Sequence, residues 1–72
     1  MKLPVLGWKE VVKVLKRKGF LFDRQSGSHM IFYHPQSNIT VVVPKHNPLK
    51  TGTLRAILAA AGISKQDLAE LL

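Results

Sequence analysis

The sequence predicts an α+β fold, in which a three-stranded antiparallel sheet carries helices on one face in the order α-β-β-β-α, with a further short helix at the C-terminal end. Three observations predict it. Apolar residues recur at helical spacing near both ends of the chain, but the middle is built of β-branched and aromatic blocks. Only short turns separate those blocks, so there is no room for a crossover and neighbouring strands must run antiparallel. The chain has 72 residues, enough for one core, so residues 1–72 form a single domain.

The first helix spans residues 8–18. Trp8, Val11, Val12 and Leu15 fall at i, i+3, i+4 and i+7, and Lys9, Lys13, Lys16 and Arg17 fall on the other side. Gly19 stands where a left-handed C-cap belongs, after cations that suit the last turn. The first strand is expected over residues 20–24, followed by the turn Gln25-Ser26-Gly27-Ser28. The second strand covers 29–34, His-Met-Ile-Phe-Tyr-His. Gly27-Ser28-His29-Met30 spells a familiar purification-tag remnant, but it stands in mid-chain and runs straight into a strand, so it belongs to the protein. Pro35 to Asn38 turns the chain again, and residues 39–43, Ile-Thr-Val-Val-Val, form the third strand, ended by Pro44.

A loop then carries His46 and Pro48. The second helix is expected from about Thr53 to Ala61, with Leu54, Ile57, Leu58 and Ala61 inward and Gly62 as its stop. Ser64 with Asp67 forms a capping box for the last helix, whose Leu68, Leu71 and Leu72 should return to the core. Helices segregated to one face of such a sheet give the layout of a double-stranded-RNA-binding domain.

Charge narrows the functional classes. Eleven Lys and Arg oppose four Asp and Glu, for a net charge of +7. On so small a domain this points to a nucleic acid, an acidic protein or an anionic membrane. The membrane reading is the weakest, because no long basic amphipathic helix with large apolar residues is present. No apolar run approaches the roughly 18 residues of a membrane span, and the opening residues are too short for the apolar core of a signal peptide. There is no cysteine, which removes disulfides, thiolate metal sites and thiol nucleophiles and fits a reducing cytoplasm. The three histidines are not at ligand spacing, and Glu10, Asp23, Asp67 and Glu70 are scattered. The pattern therefore offers neither a resident metal site nor the clustered carboxylates of two-metal nucleases. No nucleophile elbow suggests a serine hydrolase.

Two histidines remain as candidates for chemistry. His29 opens the second strand directly after a flexible turn, which leaves it exposed at a sheet end. An imidazole can both take and give a proton near neutral pH. Antiparallel pairing in sequence order brings the end of the third strand, and with it His46, close to the start of the second. Two imidazoles beside Lys45 and Lys50 suit cleavage of a phosphodiester: one deprotonates the ribose 2′-hydroxyl, one protonates the leaving oxygen, and cations stabilise the phosphorane. The same residues would also make an ordinary surface histidine and a loop residue capping a strand end. His34, before Pro35, reads as a turn residue. Lys50 to Thr53, leading into a helix near Arg55, offers a phosphate seat, although a threonine there can also be a simple N-cap. Lys9 and Lys13, with Lys16 and Arg17, could track a phosphate backbone or be a solvated helix face.

Several segments in this order resemble one family. They are Lys18-Gly19-Phe20, Gly27-Ser28-His29, Val43-Pro44-Lys45-His46, Gly52-Thr53-Leu54-Arg55-Ala56-Ile57-Leu58 and Ala61-Gly62-Ile63. Together they resemble the HicA toxins, the mRNA-cleaving partners of HicB antitoxins. The resemblance implies a double-stranded-RNA-binding-like fold, a cytoplasmic endoribonuclease that needs no metal or cofactor, and neutralisation by a HicB-like antitoxin. It places His29 as the catalytic histidine and marks His46 as a recurrent family position. A non-catalytic RNA-binding module, or a domain whose basic surface meets an acidic protein, would account for charge and topology equally well.

Overall fold

In the computed structural model, which describes residues 3–72, the elements are α1 (Trp8–Arg17), β1 (Leu21–Ser26), β2 (His29–His34), β3 (Ile39–Pro44), α2 (Thr51–Ala61) and α3 (Lys65–Leu71). The three strands form one antiparallel sheet in the order β1-β2-β3. The double-stranded-RNA-binding-like α+β architecture expected from the pattern is the one observed.

Each helix buries apolar residues in one core, α1 and α2 against the sheet and α3 against α1. Val11, Val14 and Leu15 of α1, Leu54, Ile57, Leu58 and Ala61 of α2, and Leu68 of α3 are buried. They pack with Phe32, Val41 and Val43 from β2 and β3. Removing a side chain such as Phe32 from water is worth about 1.5–3 kcal/mol. The helical layer rests on β3, which meets both α1 and α2. β1 is exposed along its whole length, and the outward face of the sheet leaves Leu21 and Val42 in solvent.

Four details differ from the sequence expectation. Phe20 is not the first residue of β1. It is buried beneath the end of α1, and its N–H donates to the Leu15 carbonyl at 2.9 Å. The N–H of Gly19 donates to Lys16, so the two bonds make a Schellman ending. β1 instead continues to Ser26, which pairs with His29, and the turn contracts to Gly27-Ser28. Gly27 there has φ +58°, a value glycine adopts without strain. α2 begins at Thr51 rather than Thr53, because the Leu54 N–H already reaches the Lys50 carbonyl at 2.9 Å. Finally, Leu72 is 42% exposed. It lies beyond the end of α3, whose inward positions are taken by Leu68 and Leu71.

Candidate active site

Strand register starts the site. His29 opens β2 and pairs with Pro44, the last residue of β3. The Lys45 N–H donates to the Ser28 carbonyl at 2.8 Å, which carries the ladder one step beyond the strands. The His46 N–H then folds back to the Pro44 carbonyl at 2.9 Å. This i-to-i+2 closure is a γ-turn, a common device at strand ends. Two residues distant in sequence are thus brought to one corner of the sheet.

The segment after the turn is clamped by the chain leading into α1 and by the first residue of that helix. The Trp8 N–H donates to the His46 carbonyl at 3.1 Å, and the Leu49 N–H donates to the Leu6 carbonyl at 2.8 Å. Leu49 is buried and anchors the loop to the core. Gly7 lies so close that a Cβ there would stand 2.6 Å from Asn47 Oδ1. The Asn47–Pro48 peptide is cis.

Between the sheet corner and the start of α2 lies a cavity of about 380 Å³. Pro44, Pro48 and Leu49 form its apolar walls, and His29, His46, Lys50 and Thr53 supply its polar groups. His29, His46 and Lys50 are all exposed. Among the described residues, neither imidazole has a hydrogen-bond partner, so all four ring nitrogens are open to a ligand. Lys50 is the N-cap of α2 and no side chain caps that helix, so its first N–H groups lack intrahelical acceptors. An anion entering the cavity would meet an ammonium group, two imidazoles and the positive end of a helix dipole.

The other predicted residues fall around this centre at differing distances. Lys45 does not line the cavity, but its Nζ lies 5.2 Å from the centre of the Trp8 ring, and Lys9 Nζ lies 5.7 Å from the same ring. Lys13 is exposed one helical turn further along α1, and Arg55 is exposed on α2 outside the cavity lining. Thr53 falls in the Lys50–Thr53 segment read as a phosphate seat and lines the cavity, whereas Pro48 and Leu49 were not evident as wall residues, nor was Trp8 as the neighbour of Lys45. Only the long-range pairing of the loop with Leu6 and Trp8 reveals them. His34, read from its sequence context as a turn residue, is the last residue of β2, and its side chain braces the turn that follows. Its Nδ1 accepts the Ser37 N–H at 3.2 Å and its ring meets Phe20 edge-on at 5.0 Å. Among the described residues, no three His, Cys, Asp or Glu side chains converge as metal ligands, and no helix is long and apolar enough to cross a membrane.

The class that the fold and the site define is a basic, double-stranded-RNA-binding-like α+β domain whose sheet corner presents two imidazoles and a lysine to one cavity. The family model of the HicA toxin of bacterial toxin–antitoxin systems matches residues 8–63. The match runs from the first residue of α1 past the end of α2 and includes every residue of the cavity. This chain belongs to the HicA toxin family, and its role is that of a toxin with an antitoxin partner. No curated protein matches it.

Proposed function

We propose that this toxin is a metal-independent endoribonuclease that cleaves mRNA in the cavity between β2, the 45–50 loop and α2. The observation that carries the reading is that His29 and His46 line one cavity with Lys50. One imidazole takes the proton of a ribose 2′-hydroxyl, and the freed O2′ attacks the adjacent phosphorus. The other, as imidazolium, gives its proton to the departing 5′ oxygen. The products are a 2′,3′-cyclic phosphate and a 5′-hydroxyl end, and one proton has passed from one imidazole site to the other. Lys50 and Lys45 offset the charge that builds on the phosphorane. Lys9, Lys13 and Arg55 lie outside the reacting centre, where they would bind flanking phosphates. A HicB-like antitoxin covering this basic cavity would silence the toxin by exclusion of RNA.

His29→Ala tests the reading. The side chain is exposed, so its loss should change stability by no more than about 0.5 kcal/mol. RNA cleavage in EDTA should fall by about 10²- to 10⁴-fold. Equal cleavage by both proteins would remove His29 from the reaction. Loss of wild-type cleavage in EDTA would make a metal necessary, and RNA retarded on a gel without being shortened would leave a binding module.

A further inference from the structure

The chain has a single tryptophan, and it touches the segment carrying His46 in two independent ways. Its backbone N–H holds the His46 carbonyl at 3.1 Å. Its half-buried ring packs against the core and lies 5.2 Å from Lys45 Nζ. Lys45 stands between Pro44 and His46, which both line the cavity. Left alone, an exposed lysine samples many rotamers, and its ammonium would be spread over a wide shell.

We propose that Trp8 is a positioning residue, whose ring holds the Lys45 ammonium beside the cavity so that this charge meets an RNA phosphate already in place. The proposal rests on the ribonuclease reading for its ligand, but the Trp8–Lys45 contact can be judged without it. An ammonium over an indole face is attracted by the ring quadrupole, and a charge fixed before the ligand arrives need not be ordered during binding or reaction. Lys9 shares the ring at 5.7 Å, but neither it nor its chain neighbours line the cavity, whereas both chain neighbours of Lys45 do. Replacing the Trp8 side chain leaves the backbone bond to His46 available, so a substitution isolates the ring.

The test compares Trp8→Phe, which keeps a π face, with Trp8→Met, which keeps apolar bulk without one. Two readouts are used: the ring-current shift of the Lys45 side-chain resonances, and affinity for a single-stranded 2′-O-methyl oligonucleotide, which lacks the attacking hydroxyl and stays intact. Trp8→Met should abolish the shift and weaken binding about two- to fivefold, and Trp8→Phe should retain most of both. Lys45→Ala should weaken binding less in the Trp8→Met protein than in the wild type, the signature of coupled residues. A purely structural tryptophan would give equal effects for Phe and Met and the same Lys45→Ala loss in both backgrounds, and would overturn the proposal. If either variant fails to fold, an unshifted Lys45 in the wild type overturns it alone. Absence of any oligonucleotide binding by the wild type would instead count against the ribonuclease reading, with the Lys45 shift still deciding the contact.

Discussion

Three histidines lie on or beside the sheet, and their partners separate them. His34 accepts the Ser37 N–H at its Nδ1 and meets the Phe20 ring edge-on, so it is held by the turn it helps to build. His29 and His46 have no such partners among the described residues and face the cavity. The distinction was partly legible in the sequence: His34 precedes a proline, whereas His29 follows Gly27-Ser28 and starts a strand. Placing His46 needed the strand order, which short turns supplied. Gly19 shows a constraint acting through a single atom. Its φ is +103°, and a Cβ would stand 3.0 Å from His34 Nε2. Gly19→Ala should therefore lose about 1–3 kcal/mol from backbone strain, before counting displacement of the His34 ring. Denaturant unfolding would show a lower midpoint at unchanged slope. Gly27→Asn, at φ +58° with nothing near its Cβ, is the tolerated control, and an equal loss there would contradict the steric account.

At the scale of elements, the helix ends were more legible than the strand ends. α1 and α2 stop in the same way. A glycine with positive φ, Gly19 or Gly62, is followed by a buried apolar residue, Phe20 or Ile63, whose N–H reaches back to Leu15 or Leu58 at 2.9 Å. Glycine makes the stop visible in sequence, but the apolar residue after it looks like the opening of a strand, so Phe20 reads as part of β1. The start of α2 was hidden for a complementary reason. Gly52 resembles a boundary, whereas in the first turn it costs the helix little, and the cap is Lys50, with no capping side chain. The start of α3 was legible because its chemistry is local: Ser64 Oγ accepts the Asp67 N–H at 3.0 Å and the Asp67 carboxylate accepts the Ser64 N–H at 3.3 Å. With only seven residues, α3 (Lys65–Leu71) depends on that cap and on Leu68. Ser64→Ala should cost about 1 kcal/mol. If the unfolding midpoint does not move, the anchoring of α3 lies entirely in Leu68 and in the Arg17 guanidinium that donates to the Leu71 carbonyl at 2.7 Å.

Over the whole molecule, charge and topology divide the labour. Eleven cations against four acids set a positive field, and an Asp23–Arg24 pair on the exposed β1 strand accounts for one cation. Net charge could be read by counting, but not which cations stand near the cavity. That depends on the chain before α1 folding across the 45–50 loop, a long-range contact that leaves no mark in local pattern. The arrangement makes a measurable claim about RNA. Lys50 lines the cavity, Lys45 stands in sequence between two residues that line it, Lys9 shares the Trp8 ring with Lys45, and Lys13 follows one turn along α1. Four phosphate contacts would give a log–log dependence of affinity on salt with a slope of about −3 for a single strand, since each contributes about −0.7. Lys50→Ala should bring the slope about 0.7 nearer zero and weaken binding of all sequences alike, because a phosphate carries no base information. A slope unchanged by that substitution would place the RNA backbone elsewhere on the surface. A loss confined to some sequences would mean that Lys50 reads a base edge.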